Sequence, residues 1–499
     1  MTSVETVAPP ELARLRELLA EQADLAHAAM LLGWDSRVGM PPRGADARAN
    51  VSATIGRLLH EREASDEVGR LLEQLAPHEQ SLDPDTDTAA VIRVTRYDWE
   101  RNRRVPSELV GELHHSAAIA LAAWDEAKAA SDFAAFVPHL ERQLELKRRY
   151  IECFAPYDDP YDVLLEDYEQ GMTTARVAEI FDELKRALVP LIAAAANGAD
   201  RALLSGPFPV EAQRRGSRLV LDALGFSDEA WRLDETTHPF ASASSPGDVR
   251  LTTRYDEGDL SSLFSTMHEF GHGVYERGID AALARTPLGC GASSAVHESQ
   301  SRTWENLVGR SAGFWRWFYP RLRELFPERF RGVDESRFVR AVNSVEAGPL
   351  RLEADELTYN LHIILRFELE QELLAGTVAV RDVPDAWNAR VREYLGVDVP
   401  DDAHGVLQDM HWAAGLIGYF PTYTLGNVIS VQFWGRARAD LGDLEDDFAR
   451  GEFGRLREWL RDHVYRHGRK YPPRELIERV TGSDIDAGPY LGYLRTKFS

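Results

Sequence analysis

Through most of the chain, apolar residues recur at spacings of three and four, with acids and arginines filling the positions between them. This period predicts amphipathic helices over residues 11–30, 46–76, 88–130, 132–152, 174–197, 302–327, 354–375 and 443–467. Strand signals are few. The best one covers residues 248–254, which follow the turn-rich run Ser242-Ala243-Ser244-Ser245-Pro246-Gly247. In extended chain, side chains alternate faces, so Val249, Leu251 and Thr253 share one face and Asp248, Arg250 and Thr252 the other. That polar face lies just upstream of a chemically distinctive helix, which turns it toward a cleft rather than solvent. Residues 83–87 read as a surface turn, no stretch reads as a linker, and no fixed-period repeat is visible. The expectation is one mainly α-helical domain over residues 1–499, with a small β-sheet beside the distinctive helix.

Composition narrows the classes of function. At 499 residues a large core forms without covalent staples. The 57 Lys and Arg face 81 Asp and Glu, a net charge of −24, which repels phosphate backbones and anionic lipid. Nucleic acid and membrane surfaces are therefore excluded as expected partners. Two cysteines, Cys153 and Cys290, cannot build a disulfide framework or a Cys-rich metal site. Residues 1–19 carry acids and prolines where a secretory leader needs an apolar run, and the apolar stretch 188–196 is interrupted by Pro190 and too short to span a bilayer. The expected location is the cytoplasm.

The distinctive helix contains His268-Glu269-Phe270-Gly271-His272. Residues i and i+4 lie one turn apart on one face, so two imidazoles can converge on one ion, and the intervening Glu269 is placed to act as general base. Neutral imidazole suits Zn²⁺, although Co²⁺ or Mn²⁺ suit the same donors. Gly271 and Gly273 cost helix propensity, which implies a close approach to the backbone there. A catalytic zinc needs a third protein ligand. No histidine follows at the required spacing. Glu276 shares the face but stands two turns from His268, too far along a straight helix, and reads as a surface or supporting residue. Glu298 stands in the first turns of a second helix whose start is marked by Ser293 and Ser294, and it completes a His/His/Glu set.

With those residues in place, the chain resembles the carboxypeptidase Taq family of metallocarboxypeptidases over nearly its full length. The resemblance rests on ordered motifs: Gly33-Trp34-Asp35 with Met40-Pro41-Pro42; residues 161–173; His238-Pro239-Phe240; Asp248-x-Arg250-x-Thr252; His268 to His272; His297-Glu298-Ser299-Gln300; Leu350-Arg351-Leu352-Glu353-Ala354-Asp355; and Gly405-x-x-Gln408-Asp409-x-His411-Trp412. Leu350 replaces a usual Ile, apolar for apolar. The resemblance implies release of single residues from peptide C-termini with broad tolerance, a helical body with a long substrate groove, and a homodimer. N-terminal helices, about residues 1–150, are expected to line or cover that groove. It also implies zinc on His268, His272 and Glu298, with Glu269 catalytic.

A C-terminal exopeptidase must hold a free carboxylate, and arginine does so through a bidentate fork. Arg351 and Arg250 are the candidates, Arg351 favoured; the plain alternative pairs Arg351 with Glu353 or Asp355 on its own helix. His411 and Tyr423 are candidates for oxyanion stabilisation or substrate positioning. His238, Asp248, His297, Asp355 and Asp409 are candidates for the hydrogen-bonding layer behind the ligands. Two other readings stand beside this one: a zinc endopeptidase or oligopeptidase of related helical architecture, and a non-catalytic peptide-binding protein. The intact Glu269 argues against the last, since a metal scaffold has no use for a base there.

Overall fold

Short polar caps decide where the long periodic runs break. The computed structural model describes residues 9–195 and 200–498. The first eight residues of the expected domain, Ser499 and the last two positions of the 174–197 helix fall outside it. The N-terminal third comprises α1 (Pro10–Val38), α2 (Ala45–Glu63), α3 (Asp66–Ser81), α4 (Asp87–Asn102), α5 (Ser107–Ala130) and α6 (Phe133–Glu152). The single run 46–76 is thus two helices, because the Ser65 hydroxyl accepts from the Val68 amide and starts α3 afresh. The run 88–130 divides before Pro106, which cannot continue a hydrogen-bonded turn.

After α7 (Pro160–Leu165), α8 (Thr174–Ala195) and α9 (Val210–Leu224) comes a three-stranded sheet, β1 (Trp231–Glu235), β2 (Ala241–Ser245) and β3 (Asp248–Thr253). Its order is β1-β3-β2, with β1 parallel and β2 antiparallel to β3; Leu233 and Ala241 both stand opposite Leu251. The expected strand is present and ends at Thr253. The reading of residues 242–245 as turn is corrected: they form strand, and only Pro246 and Gly247 turn the chain. The side chains of β2 are all Ala or Ser, too small and too alike in polarity to mark a face.

Beyond the sheet run α10 (Ser261–Gly278), α11 (Ser294–Arg302), α12 (Ala312–Leu325), α13 (Glu335–Val342), α14 (Tyr359–Ala375) and α15 (Val383–Leu395). They are followed by α16 (Pro421–Leu441), α17 (Glu445–Arg450), α18 (Gly454–His463), α19 (Pro473–Thr481) and α20 (Ala487–Phe498). The run 302–327 is corrected to the end of α11, a π-helical turn over Thr303–Val308, and a new helix capped by Ser311. The run 354–375 starts late, at Tyr359, and 443–467 is broken at Gly451, whose φ of +78° favours glycine.

One large apolar core runs from α5 to α20, and a smaller one joins α1, α3 and α4 to Ile279, Leu283 and Leu288. The helix α10 lies on the sheet and is crossed by α11, which α16 then crosses. Missing side chains permit each approach. A Cβ at Gly273 would fall 2.6 Å from the Trp231 ring, and one at Gly271 2.5 Å from the backbone of Gln300 and Ser301. At Gly426 it would stand 2.6 Å from Cβ of Glu298. Close backbone approach of this kind carries the side chains between the helices to within bonding distance. Among the described residues no helix is long and apolar enough to cross a membrane.

Candidate metal centre

The α10–α11 crossing gathers His268, His272 and Glu298. Their ligand-capable atoms all lie within 4.8 Å of one another. His268 and His272 present Nε2 atoms 3.3 Å apart, and Glu298 Oε2 stands 3.7 and 3.5 Å from them. Glu298 reaches this point because Ser293 caps α11, its hydroxyl accepting from the Val296 amide, and so fixes the helix's rotation at its first turn.

A charged layer orients the set. His268 Nδ1 lies 2.8 Å from Glu305 Oε2, and because an ionised carboxylate only accepts, the proton sits on Nδ1 and the Nε2 lone pair faces the other ligands. Arg302 donates through Nε to Glu298 Oε1 at 2.7 Å and through NH1 to Glu305 Oε2 at 3.0 Å. Behind His272 the arrangement differs: its Nδ1 meets His297 Nδ1 at 2.6 Å, and His297 Nε2 meets Glu276 Oε1 at 2.8 Å. Glu276 is therefore no ligand but part of the supporting layer. Two imidazole nitrogens and a carboxylate oxygen converging at these distances leave more lone pairs than one shared proton can join. The donor set fits a divalent cation.

Electrostatics agree. Burial alone would raise the Glu298 carboxyl, but Arg302 and the two imidazoles outweigh it and hold it well below the usual carboxylate range. Glu305 is likewise drawn down to about 2, Arg302 prevailing over burial. Burial pushes His272 down to about 4, toward the neutral form a metal needs. Glu269 is buried, and that burial pushes its carboxyl up to about 7. Among the described residues its carboxyl makes no hydrogen bond, so it is free to take and release a proton.

The second cluster is built around Arg351. It lies in a short 3₁₀ turn, Arg351–Glu353, and is buried. Its pairing with Glu353 or Asp355 is corrected: Nε and NH2 donate to Asp409 Oδ1 at 3.1 and 2.7 Å, and NH1 to the Tyr359 hydroxyl at 2.9 Å. Arg366 holds the other oxygen of Asp409. His411 follows two residues later, with Nε2 3.0 Å from the Tyr423 hydroxyl and Nδ1 without a partner among the described residues; burial pushes its pKa down to about 3, so the ring is neutral. The clusters join through Tyr359, whose ring lies 4.3 Å beneath the Arg302 guanidinium.

Other sequence candidates lie elsewhere. Arg250 pairs with Asp248 on its own strand at 2.9 and 3.1 Å and stacks 4.5 Å over Trp34, so two motifs far apart in sequence meet and tie α1 to the sheet. Asp248 also accepts from Ser244. Asp355 accepts three backbone amides, those of Glu346, Leu357 and Thr358, and touches no ligand. His238 is exposed in the β1–β2 loop, also without a ligand contact. Of the five residues expected behind the ligands, His297 alone touches one. Sequence reasoning missed Arg302, Glu305, Tyr359 and Arg366. The first two stand four and seven residues after Glu298, a helical-face spacing that was there to be read.

The sequence profile of the carboxypeptidase Taq (M32) metallopeptidases matches residues 14–498. Thermostable carboxypeptidase 1 of Thermus thermophilus is 44% identical, over 97% of this chain and 98% of the relative. Carboxypeptidase 1 of Bacillus subtilis is 38% identical, over 97% of each. The crystal structure of an M32 carboxypeptidase from Deinococcus radiodurans superposes with a TM-score of 0.93 at 44% identity, covering 98% of this chain and 99% of that one.

Proposed function

The chain belongs to the carboxypeptidase Taq (M32) family of metallopeptidases, and we propose that it is a zinc-dependent carboxypeptidase releasing single C-terminal residues from peptides with broad side-chain tolerance. The observation that carries the reading is the convergence of His268, His272 and Glu298 on one point, with the Glu269 carboxyl buried between the two histidines in sequence. Zinc is favoured by spacing: two nitrogens about 2.0–2.1 Å from one tetrahedral ion stand roughly 3.3–3.4 Å apart, and the two Nε2 atoms stand at 3.3 Å.

When bound, zinc supplies Lewis acidity that polarises the scissile carbonyl and acidifies water; Co²⁺ or Mn²⁺ suit the same donors. The protein does the rest. Glu269 removes a proton from the attacking water and delivers it to the leaving amine, work for which a carboxyl near neutrality is suited. The Tyr423 hydroxyl, held by neutral His411, donates toward the charge that develops on the former carbonyl oxygen. Arg351 spends three of a guanidinium's five N–H groups on Asp409 and Tyr359, which leaves two for a substrate carboxylate. Arg250, already stacked on Trp34, is the weaker candidate for that task. The chain acts as one catalytic body of residues 1–499, in the cytoplasm and as a homodimer, with α1 to α6 lining or covering a peptide groove.

Mass spectrometry of an unblocked peptide incubated with zinc-loaded enzyme tests the reading. The expected product is a ladder shortened from the C-terminus, with the C-terminally amidated peptide left intact. Efficient cleavage of the amidated peptide would sink it in favour of an endopeptidase.

A further inference from the structure

Each ligand of the metal centre has its orientation set from behind, but not in the same way. Glu298 is held by Arg302 and His268 by Glu305, each in direct contact with a charged group. Behind His272 stands another imidazole, and the nearest charge is one ring further away, on Glu276.

The geometry orders the contacts along this line from the carboxylate to the ligand. Glu276 Oε1 already accepts the Gly291 amide at 3.3 Å, and a carboxylate can only accept. His297 must therefore carry a proton on Nε2, which donates to Glu276 at 2.8 Å. With Nε2 so engaged, Nδ1 is the His297 nitrogen left to face His272. The 2.6 Å contact between the two Nδ1 atoms holds one proton, and a His272 that ligates through Nε2 carries it. With its Nδ1 protonated, His272 presents a bare Nε2 to His268 and Glu298. Every atom in the line has one consistent role.

We propose that Glu276 is a positioning residue for the metal centre: acting through His297, it fixes which nitrogen His272 offers to the ion. This rests on the metal-centre reading above. The sequence builds the device with one helix face, since His268, His272 and Glu276 stand at i, i+4 and i+8 along α10. The first two reach the ion directly, and the third, too far along the axis to do so, reaches it through a ring inserted from α11. Space for that ring comes from Gly291, where a Cβ would fall 2.8 Å from His297 Cδ2 and 3.0 Å from the Tyr275 ring.

The test is zinc affinity of the full chain by chelator competition for wild type, Glu276→Leu and Glu276→Gln, with the melting temperature of each metal-free protein alongside. Glu276→Leu removes the acceptor and frees both rings to change tautomer; its zinc affinity is expected to fall roughly 10- to 100-fold. Glu276→Gln keeps an oxygen that the Gly291 amide holds toward His297, so its affinity is expected to stay near wild type. Melting temperatures of the metal-free proteins are expected to coincide. Unchanged affinity in Glu276→Leu, equal losses in both variants, or a loss that tracks a lower metal-free melting temperature overturns the proposal. Failure of the wild-type chain to bind zinc overturns the metal-centre reading itself, and the relay with it.

Discussion

The two halves of the site are made in opposite ways. The ligands and the layer behind them come from two consecutive helices, α10 and α11, and the turn that extends the second. The Arg351 cluster draws on a 3₁₀ turn, on α14, on the segment around Asp409 and His411, and on α16. Helix periodicity and one close helix crossing aim the first set. Tertiary packing aims the second, and its central charge, Asp409, is shared by two arginines. One half gathers ligand atoms around a point, and the other gathers two arginines around one carboxylate.

If that division holds, substitutions should separate chemistry from recognition. The largest effect is expected for Glu269→Gln: kcat falls about 10²- to 10⁴-fold, while zinc content measured by elemental analysis stays at wild type. Retained turnover would mean the base is misassigned.

Asp409→Asn comes next, since removing one partner of a buried ion pair costs about 3–5 kcal/mol. Burial alone would raise this carboxyl, but Arg351 and Arg366 outweigh it and hold it below the carboxylate range. A depressed folded-state pKa adds stability in full above the unfolded value of about 4, and that stability is lost as the pH falls through the folded-state value. Unfolding curves should therefore show a wide gap between wild type and variant at pH 7 that narrows below pH ~4. A gap independent of pH would mean the charge on Asp409 is not what the arginines hold.

Arg351→Ala should lower kcat/KM on peptides with a free C-terminus by roughly 10²- to 10³-fold, mostly through KM, with zinc content unchanged and Asp409 still paired to Arg366. Arg250→Ala should do less; the reverse order would move the carboxylate anchor to the strand. Smallest is Gly271→Ala, which forces α10 and α11 apart and should cost about 1–3 kcal/mol of stability. If it costs nothing by thermal unfolding, the helix crossing is looser than the 2.5 Å approach implies.

The same division explains what could be read in advance. His268, His272 and Glu298 were named from spacing and a serine cap, both local, and they are the residues the structure gathers. Arg302 and Glu305 belonged to the same periodicity and were overlooked, although the π-helical widening under Glu305 has no sequence signature. Arg351 stands out in its motif but its protein partner does not, because spacing along a helix says nothing about a carboxylate 58 positions away. Helices were legible as faces more than as lengths: apolar periods pass through a capped break such as Ser65 without a change of rhythm. Two of three strands are not among the expected elements, and with them the surface on which α10 rests: β1 alternates apolar with polar over only five residues, and β2 is built of Ala and Ser, whose contrast is slight.

Tyr359 stands where the two halves touch, its ring under Arg302 and its hydroxyl on Arg351. Contact of that kind obeys thermodynamic reciprocity. By whatever factor a loaded metal changes the affinity for a peptide's terminal carboxylate, a bound carboxylate changes the affinity for the metal by the same factor. If that coupling is favourable, an enzyme at work among abundant peptide ends holds its ion more firmly than the same enzyme purified away from them.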